Sequence, residues 1–520
     1  MQGVVTRVQG DGFYLESPLP APDRHSRAIF ISPAQDGAAV YPGQQLQLGG
    51  QVAETGSGRD TMTSLSAVTG VTVCAEASDL PVTQVALPMK PGAREALEGM
   101  RLVFDQRFTL TDPVTVSQGK AMLSAGDRLW APTEIADPGE PALGIDQANR
   151  NRTLYTRLPE AAPEDAPAAA MPVGTGLQGI VGVMGHDGRY SQLMLESMPE
   201  TLPGAPPSLP AAPPGGLRVV SSNLQNFFNG DGQGGGFPTE RGARTAAQFE
   251  RQKQRMAAAF AQMKPDLLGV QELENDGFGP YSAAEELKQL LSEASGNPFG
   301  VVQTASGRVG RDVIAVGLFF NENALETVGP AQVLAGQPFN ELSRQPLAQL
   351  FRDRNSGTVF LAVANHLKSK GSCPGNGENA NQDDGQGCWN PARVAAIHAQ
   401  LPWLEGLAKA AGTRHIVILG DLNAQRREDP VRALEQAGFL DITHKRSALP
   451  PYSFVYQGQA GTLDYVFVTP ELAAAAHQAT NWHISADWAE DTALPEPWMG
   501  MSDHDPVVVD FVFSQERTAD

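Results

Sequence analysis

HIVILGDLN, residues 415–423, runs the apolar residues Ile416–Leu419 straight into Gly-Asp-Leu-Asn. A short apolar run closed by a turn signal reads as a buried strand. Asp421 and Asn423 therefore stand at the mouth of a sheet. The arrangement recurs along the chain. LRVVSSN (217–223) ends on Asn223, DLLGVQE (266–272) on Glu272, and FLAVANH (360–366) on Asn365 and His366. Asp464 opens the strand within LDYVFV (463–468), and Asp503 and His504 directly precede PVVVDFVF (506–513). An Asp or Asn at one strand end is usually a turn residue. A series of such ends in one order is more than turn chemistry requires, and strand ends are the rigid mounts that a site needs.

Helical patterns lie between these strands: TAAQFERQKQRMAAAFAQM (245–263), SAAEELKQLLSEA (282–294) and PARVAAIHAQLPWLEGLAKA (391–410). The last has Asn390 as its expected N-cap and Pro391 at its first position. Strands alternating with helices predict an α/β (α+β) layered domain over residues 217–515. Ahead of it the texture differs. Residues 1–85 read as short strands broken by Gly, Pro and Asp turns, a small antiparallel barrel or sandwich. Residues 90–200 repeat that texture as a second β-rich module, interrupted by the low-complexity stretch 159–172. Residues 201–216, TLPGAPPSLPAAPPGG, hold six prolines and read as a linker tending to polyproline II.

The strand-end residues point to a chemistry. Asn, Asp and Glu oxygens suit a hard cation such as Mg²⁺, Mn²⁺ or Ca²⁺, and the Cys/His cluster that zinc favours is missing from the set. Hydrolysing a phosphodiester needs a base for water, neutralisation of phosphoryl charge and a proton or cation for the leaving oxygen. A His tuned by a carboxylate serves the first, a cation with Asn or His donors the second.

The ordered set QE (271–272), NH (365–366), GDLN (420–423), LDY (463–465) and SDH (502–504) resembles the endonuclease/exonuclease/phosphatase superfamily. That resemblance implies a four-layer α/β sandwich with the site at the upper edge of two sheets. QELEND (271–276), NHLKSKGSCPG (365–375), QDDGQGCWNPARVAA (382–396) and TLDYVFVTPEL (462–472) are further similar to large bacterial extracellular nucleases. Such nucleases often carry an oligonucleotide/oligosaccharide-binding barrel upstream, whose start VVTRVQGDGFYLESP resembles. Carried over by motif, Glu272 is the main metal carboxylate, with Asn223 nearby and Asp503 closing the cation site. Asp421 and Asn423 flank the scissile phosphate, either of them a candidate to hold a second ion or to position the attacking water, with Asp421 also counted among the metal ligands. His504 is the catalytic imidazole with Asp464 as its partner. His366 is the second histidine, with Asp312 as its expected carboxylate. Asn365, Lys368 and Asn423 are phosphate-binding candidates. The implied cofactor is Mg²⁺ or Mn²⁺, with Ca²⁺ as an auxiliary ion, and the implied substrate is DNA, with RNA as a further candidate. Two positions depart from the family pattern, Glu274 where a basic residue is common and Phe320 where Tyr is common.

Bulk properties limit the alternatives. The net charge of −20 divides as −9 over residues 1–200 and −11 over 201–520. So general an acidity argues against passive binding of a polyanion and less against an enzyme that meets phosphate through cations. The one basic stretch of the last domain is Arg241, Arg244, Arg251, Lys253 and Arg255, either a solvated helix face or a rim for a nucleic-acid backbone. A phosphomonoesterase or lipid phosphodiesterase on the same scaffold, or a non-catalytic nucleic-acid-binding protein, are the rival readings. No run of 18 apolar residues exists, so no membrane insertion is expected, nor any obligate protein partner. No signal peptide heads the chain; the protein is cytosolic or a leader has been removed. Cys373 and Cys388 bracket a polar Gly/Asn/Asp loop. A disulfide closing about 15 residues contributes on the order of 3 kcal/mol in the chain-entropy model. That bond is expected, with Cys74 left free or buried, and it favours a secreted or periplasmic location.

Overall fold

In a computed structural model the described residues are all but 11, 20–24, 33–39, 56–60, 113–118, 160–170, 187–190, 203, 205–206, 341, 447–450, 489–493 and 514–520. Most of the low-complexity stretch, and three positions of the Pro-rich segment, lie outside the described residues. The chain forms two compact units. One comprises Met1–Leu129, Asp146–Ala205 and Gln457–Gln459; the other comprises Trp130–Ile145, Pro206–Tyr456 and Ala460–Asp520. The second unit thus includes a segment, Trp130–Ile145, that the sequence division at residue 217 left upstream.

In the first unit, β1 (Gln2–Gln9), β2 (Gly12–Glu16), β3 (Ala28–Ile31), β4 (Gln45–Thr55) and β5 (Met62–Ala75) close into a barrel of order β1-β2-β3-β5-β4. Its core is Val5, Phe13, Leu15, Ile31, Leu46, Leu48 and Leu65. The segments between Thr83 and Leu202 build a nine-stranded sheet. The β-rich character expected of this region is therefore present, together with a 13-residue helix, Glu140–Arg152, that the strand texture did not show.

The second unit carries two six-stranded sheets. The first is ordered β8 (Phe299–Val301), β9 (Ile314–Asn321), β7 (Leu267–Glu274), β6 (Leu217–Phe227), β17 (Val507–Phe511), β16 (Ala476–Asn481). The second is ordered β10 (Leu325–Val333), β11 (Leu347–Asp353), β12 (Val359–His366), β13 (Ile416–Asp421), β15 (Asp464–Val468), β14 (Leu440–Asp441). Strand alternation explains the layers, because successive side chains point to opposite faces. Val219, Leu267, Ala362, Val417 and Val466 enter the core shared by the two sheets. Their neighbours Val220 and Leu268 pack with Phe249, Met256 and Phe260 of α1 (Ala246–Met263) and Leu287 and Leu291 of α2 (Ala283–Ser295). On the other side Leu361, Ile418 and Phe467 pack with Ile397 and Leu404 of α3 (Asn390–Ala411) and Leu434 of α4 (Asp429–Gln436). The result is the expected four-layer sandwich. Gly269 shows how closely the sheets approach, since a Cβ there would collide with Leu419.

One cap differs from expectation. The residue capping α3 is Trp389, at φ 66°, while Asn390 is the first helical residue and its Nδ2 donates to Asp429 Oδ2 at 2.7 Å. The amide nitrogen is taken by a carboxylate, while Oδ1, the atom that would accept a capping bond, makes none.

Candidate active site

The inter-sheet face continues past the hydrophobic core to the strand ends. There Asn223 follows Leu217 and Val219, His366 follows Ala362 and Ala364, and Asp421 follows Val417 and Leu419 on the same alternating face. Register then sets the neighbours. β12 and β13 are parallel with His366 opposite Asp421, and β13 and β15 are antiparallel with Asp421 opposite Asp464. Three strands that are consecutive in the sheet thus present His366, Asp421 and Asp464 side by side. Gly420 allows it: at φ 136°, a Cβ there would strike the Asn365 carbonyl.

Contacts across the sheets complete the group. Asn223 Nδ2 donates to Asp421 Oδ2 at 3.3 Å, while Asp421 Oδ1 accepts from the Asn423 amide at 2.7 Å. His366 Nε2 lies 3.6 Å from Asp421 Oδ2. His504 Nδ1 meets Asp464 Oδ2 at 2.7 Å, and Phe454 lies against the imidazole with ring centroids 4.6 Å apart. The backbone amides of Leu463 and Asp464 both donate to Ser453 Oγ at 3.0 Å. Glu272 is brought to the same place by a bulge. The β6–β7 register breaks between Asn223 and Phe227, the β7–β9 register breaks between Val270 and Leu273, and Glu272 takes φ 63°. A bulge re-aims a side chain. A left-handed non-glycine residue costs of order 1–3 kcal/mol and persists only where its surroundings hold it.

The electrostatics follow from crowding. Burial, then Asp503, raises the proton affinity of Glu272; burial, then Asp464, raises that of Asp421. Burial pushes His366 well below the usual histidine value, helped by Arg344, so it is neutral near pH 7. For His504, burial acts downward, but Asp464, Asp503 and Asp421 outweigh it and drive the imidazole well above that value. Among the described residues, neither Glu272 nor Asp503 makes a salt bridge, and Asp464 Oδ1 is buried without a hydrogen-bond partner. Carboxylates crowded in this way fit a bound cation. Asp421, Asp464 and His504 each offer a ligand atom within 4.8 Å of the others. His504 Nδ1 is already engaged by Asp464, which leaves Glu272 and Asp503 as the more open oxygen donors, while Asn223 Oδ1 also accepts from the Gln225 amide at 2.9 Å.

Three anticipated residues sit differently. Asp312 does not reach His366: its Oδ2 accepts from Arg344 Nε at 3.0 Å, and its Oδ1 accepts from the Val313 amide at 2.7 Å. The guanidinium fork takes that carboxylate, and Arg344 Nη1 instead lies 3.5 Å from His366 Nε2. Lys368 is turned to the loop that follows it, with Nζ donating to Ser369 O at 3.0 Å and Gly371 O at 3.2 Å, 5.0 Å from the Trp389 ring. Asn365 is buried with both amide atoms unpartnered, on the alternate face of β12 with Leu361 and Val363. Arg344, Ser453 and Phe454 were not anticipated; Arg344 lies in a polar stretch, and Ser453 and Phe454 stand at the start of a three-residue strand, Phe454–Tyr456.

Cys373 and Cys388 form a disulfide with Cα atoms 5.5 Å apart, and Cys74 is free and exposed. The buried Arg393 of α3 donates to Cys388 O at 2.9 Å and Lys368 O at 3.2 Å, pinning both ends of the loop to the helix. Among the described residues no helix is long and apolar enough to cross a membrane.

The sequence profile described as "Endonuclease/Exonuclease/phosphatase family" matches residues 220–504. No curated protein is significantly similar to the chain. Among solved structures, the chain is similar to an endonuclease/exonuclease/phosphatase from Bacteroides vulgatus, at 15% identity over 57% of this chain and 99% of that one, TM-score 0.40. It is also similar to the human Nocturnin catalytic domain, at 18% identity over 58% and 97%, TM-score 0.38. A mannosyl-6-phosphatase from Bacteroides thetaiotaomicron matches at 17% identity over 57% and 100%, TM-score 0.39.

Proposed function

The chain belongs to the endonuclease/exonuclease/phosphatase family, and from that premise we propose that this phosphoesterase is a divalent-cation-dependent nuclease, cutting DNA, and RNA as a second substrate, largely without regard to sequence. The observation that carries the reading is the buried His504–Asp464 pair, 2.7 Å apart beside Asp421. An imidazole held by a carboxylate takes a proton from water once it is itself neutral; the surrounding carboxylates hold its own proton in the cation-free protein, and a bound cation would offset them. Asn423 and Arg344 offer N–H donors for charge on the phosphoryl oxygens. The neutral His366 offers the leaving oxygen an N–H hydrogen bond rather than a proton. Glu272, Asn223 and Asp503 would hold Mg²⁺ or Mn²⁺, with Asp421 adjoining. When bound, the cation supplies Lewis-acid neutralisation of the phosphoryl group.

A second observation favours a polymeric substrate over a small monoester. A cleft of about 330 Å³ is lined by Arg244, Arg251 and Arg255 with Gln248 and Gln252, and by Gly500 and Met501, just ahead of His504. On a chain of net charge −20, three arginines in one cleft suit non-scissile backbone phosphates. The closed five-stranded barrel supports an upstream oligonucleotide/oligosaccharide-binding module, as in the extracellular nucleases the sequence resembles. The disulfide supports an oxidising compartment outside the cytoplasm.

The test is one assay of the full chain on plasmid DNA, RNA, a sugar phosphate monoester and sphingomyelin vesicles, each with and without EDTA. Chelator-sensitive cutting of plasmid is expected. Phosphate release from the monoester, or hydrolysis of the lipid, with plasmid left intact overturns the nuclease reading.

A further inference from the structure

The segment Trp130–Ile145 belongs to the compact unit that holds the active site, yet it precedes the family match at 220–504. It enters as a short strap. The Ala131 amide donates to Ala460 O at 2.8 Å, and the Gly139 amide donates to Asp384 O at 2.6 Å. Between these anchors lies a four-residue helix, Pro132–Ile135. Its Thr133 and Glu134 are buried, at 1% and 3% exposure, an unusual place for a glutamate unless it is fully engaged.

Glu134 is so engaged, and with two different turns. Its Oε2 accepts from the Thr462 amide at 3.0 Å and the Arg426 amide at 3.4 Å, and its Oε1 accepts from Thr462 Oγ1 at 3.1 Å. Thr462 is two residues before Asp464. Arg426 is three residues after Asn423, in the turn that leaves Asp421. One carboxylate therefore ties the turn bearing Asp421 and Asn423 to the turn bearing Asp464. Tyr465 spans the same gap from inside the family domain, its hydroxyl lying 2.9 Å from Ala424 O and 3.1 Å from Thr462 O. Thr133 adds a purely local anchor, with Oγ1 donating to Glu428 Oε1 at 2.7 Å and its carbonyl accepting from the Arg427 amide at 2.9 Å.

We infer that Glu134 is a positioning residue of this active site, supplied by a strap outside the family domain, that holds the Asp421–Asn423 turn and Asp464 in mutual register. The inference rests on the reading of Asp464 and His504 as the acid/base pair. Catalytic groups must keep productive geometry to within about half an ångström, and a buried acceptor for two backbone amides enforces that. Both backbone amides share Oε2 and Oε1 meets a hydroxyl, so a glutamine could keep every bond, whereas a methionine of similar reach offers no acceptor to either amide.

The test compares Glu134→Met, Glu134→Ala, Thr133→Val and Asp464→Ala in the full chain with Mg²⁺, on a DNA oligonucleotide and on bis-p-nitrophenyl phosphate. For Glu134→Met, kcat should fall by about tenfold or more on both substrates with KM within about twofold, because pairing of turns affects the transition state and not remote binding. Backbone amide exchange should quicken at residues 424–426 and 462–464. Thr133→Val, which loses a strap anchor but none of the Glu134 bonds, should keep kcat while lowering Tm. A Glu134→Met enzyme that matches wild type in kcat, or loses kcat only as much as Thr133→Val at equal Tm, overturns the inference. If Glu134→Ala does not fold, the Met variant, which fills the same space, decides alone. If Asp464→Ala retains activity, the underlying reading of the acid/base pair fails instead, and the two failures are distinct.

Discussion

His504 Nδ1 lies 2.7 Å from Asp464 Oδ2, although forty residues of chain separate them. The bond fixes which imidazole nitrogen is free, since Nδ1 is committed and only Nε2 can face a substrate. His504→Ala should therefore lower cleavage of DNA at least roughly a hundredfold, the general scale for losing an acid/base group. Asp464→Asn should approach that loss because the ring would lose its orienting carboxylate. Initial rates of plasmid nicking check both. A His504→Ala rate within a few-fold of wild type removes the residue from the mechanism.

Dialysis against EDTA should abolish activity, and Mg²⁺ or Mn²⁺ should restore it. Glu272→Gln should mimic the loss without unfolding the chain, since it removes a charge that burial and Asp503 already make costly. Cation affinity by calorimetry separates binding from chemistry: the variant should bind weakly or not at all. Full activity after exhaustive chelation contradicts the cation site.

Reversing charge in the arginine cleft should weaken polymer binding alone. Arg244→Glu with Arg251→Glu should raise KM for DNA and flatten the salt dependence of log K by roughly one for each phosphate no longer engaged. Hydrolysis of bis-p-nitrophenyl phosphate should be unchanged. An equal loss on both substrates would point to damage at the catalytic centre, not to a phosphate seat.

The two histidines should titrate apart in the cation-free protein. His504, raised by its carboxylates, should stay protonated above the usual histidine range, and His366, lowered by burial, should stay neutral at neutral pH. Side-chain NMR from about pH 5 to about pH 9 reads both directly. A proton bound more tightly in the folded state stabilises it below the unfolded pKa, and that contribution fades as pH rises through the folded value. Cation-free wild type should therefore lose stability relative to His504→Gln above the usual histidine pKa. An opposite slope would show that Asp464 does not hold a charged imidazole.

Thiol counting in denaturant should find one reactive thiol, Cys74, before reduction and three after. Removing the bond by Cys373→Ser with Cys388→Ser should cost on the order of 3 kcal/mol at most in the entropic account. The loss should be smaller if the pins from Arg393 hold the loop. Three free thiols in protein made under oxidising conditions would remove the argument for an extracytoplasmic location.

Local patterns were enough for much of this protein. Apolar runs ending on Asn223, Glu272, His366 and Asp421 marked both the strands and the residues at their ends, because alternation and turn chemistry are properties of a few consecutive residues. The Cys373–Cys388 bond was legible for a similar reason, as two cysteines bracketing a polar loop with almost no apolar anchor. Tertiary structure alone decided which strands became neighbours, and so which side chains met. Asp312 was expected to hold His366, but the fold sends Arg344 between them. Lys368 was assigned to phosphate, but the disulfide loop supplies it with carbonyls and Trp389. Glu134 carried no signal at all, since a single glutamate between Pro132 and Ile135 looks like a solvated turn. Its role exists only once the strap brings it to Arg426 and Thr462, 292 and 328 residues away in sequence. Pairings at such separations depend on the packing of whole layers, and no short window of sequence contains them.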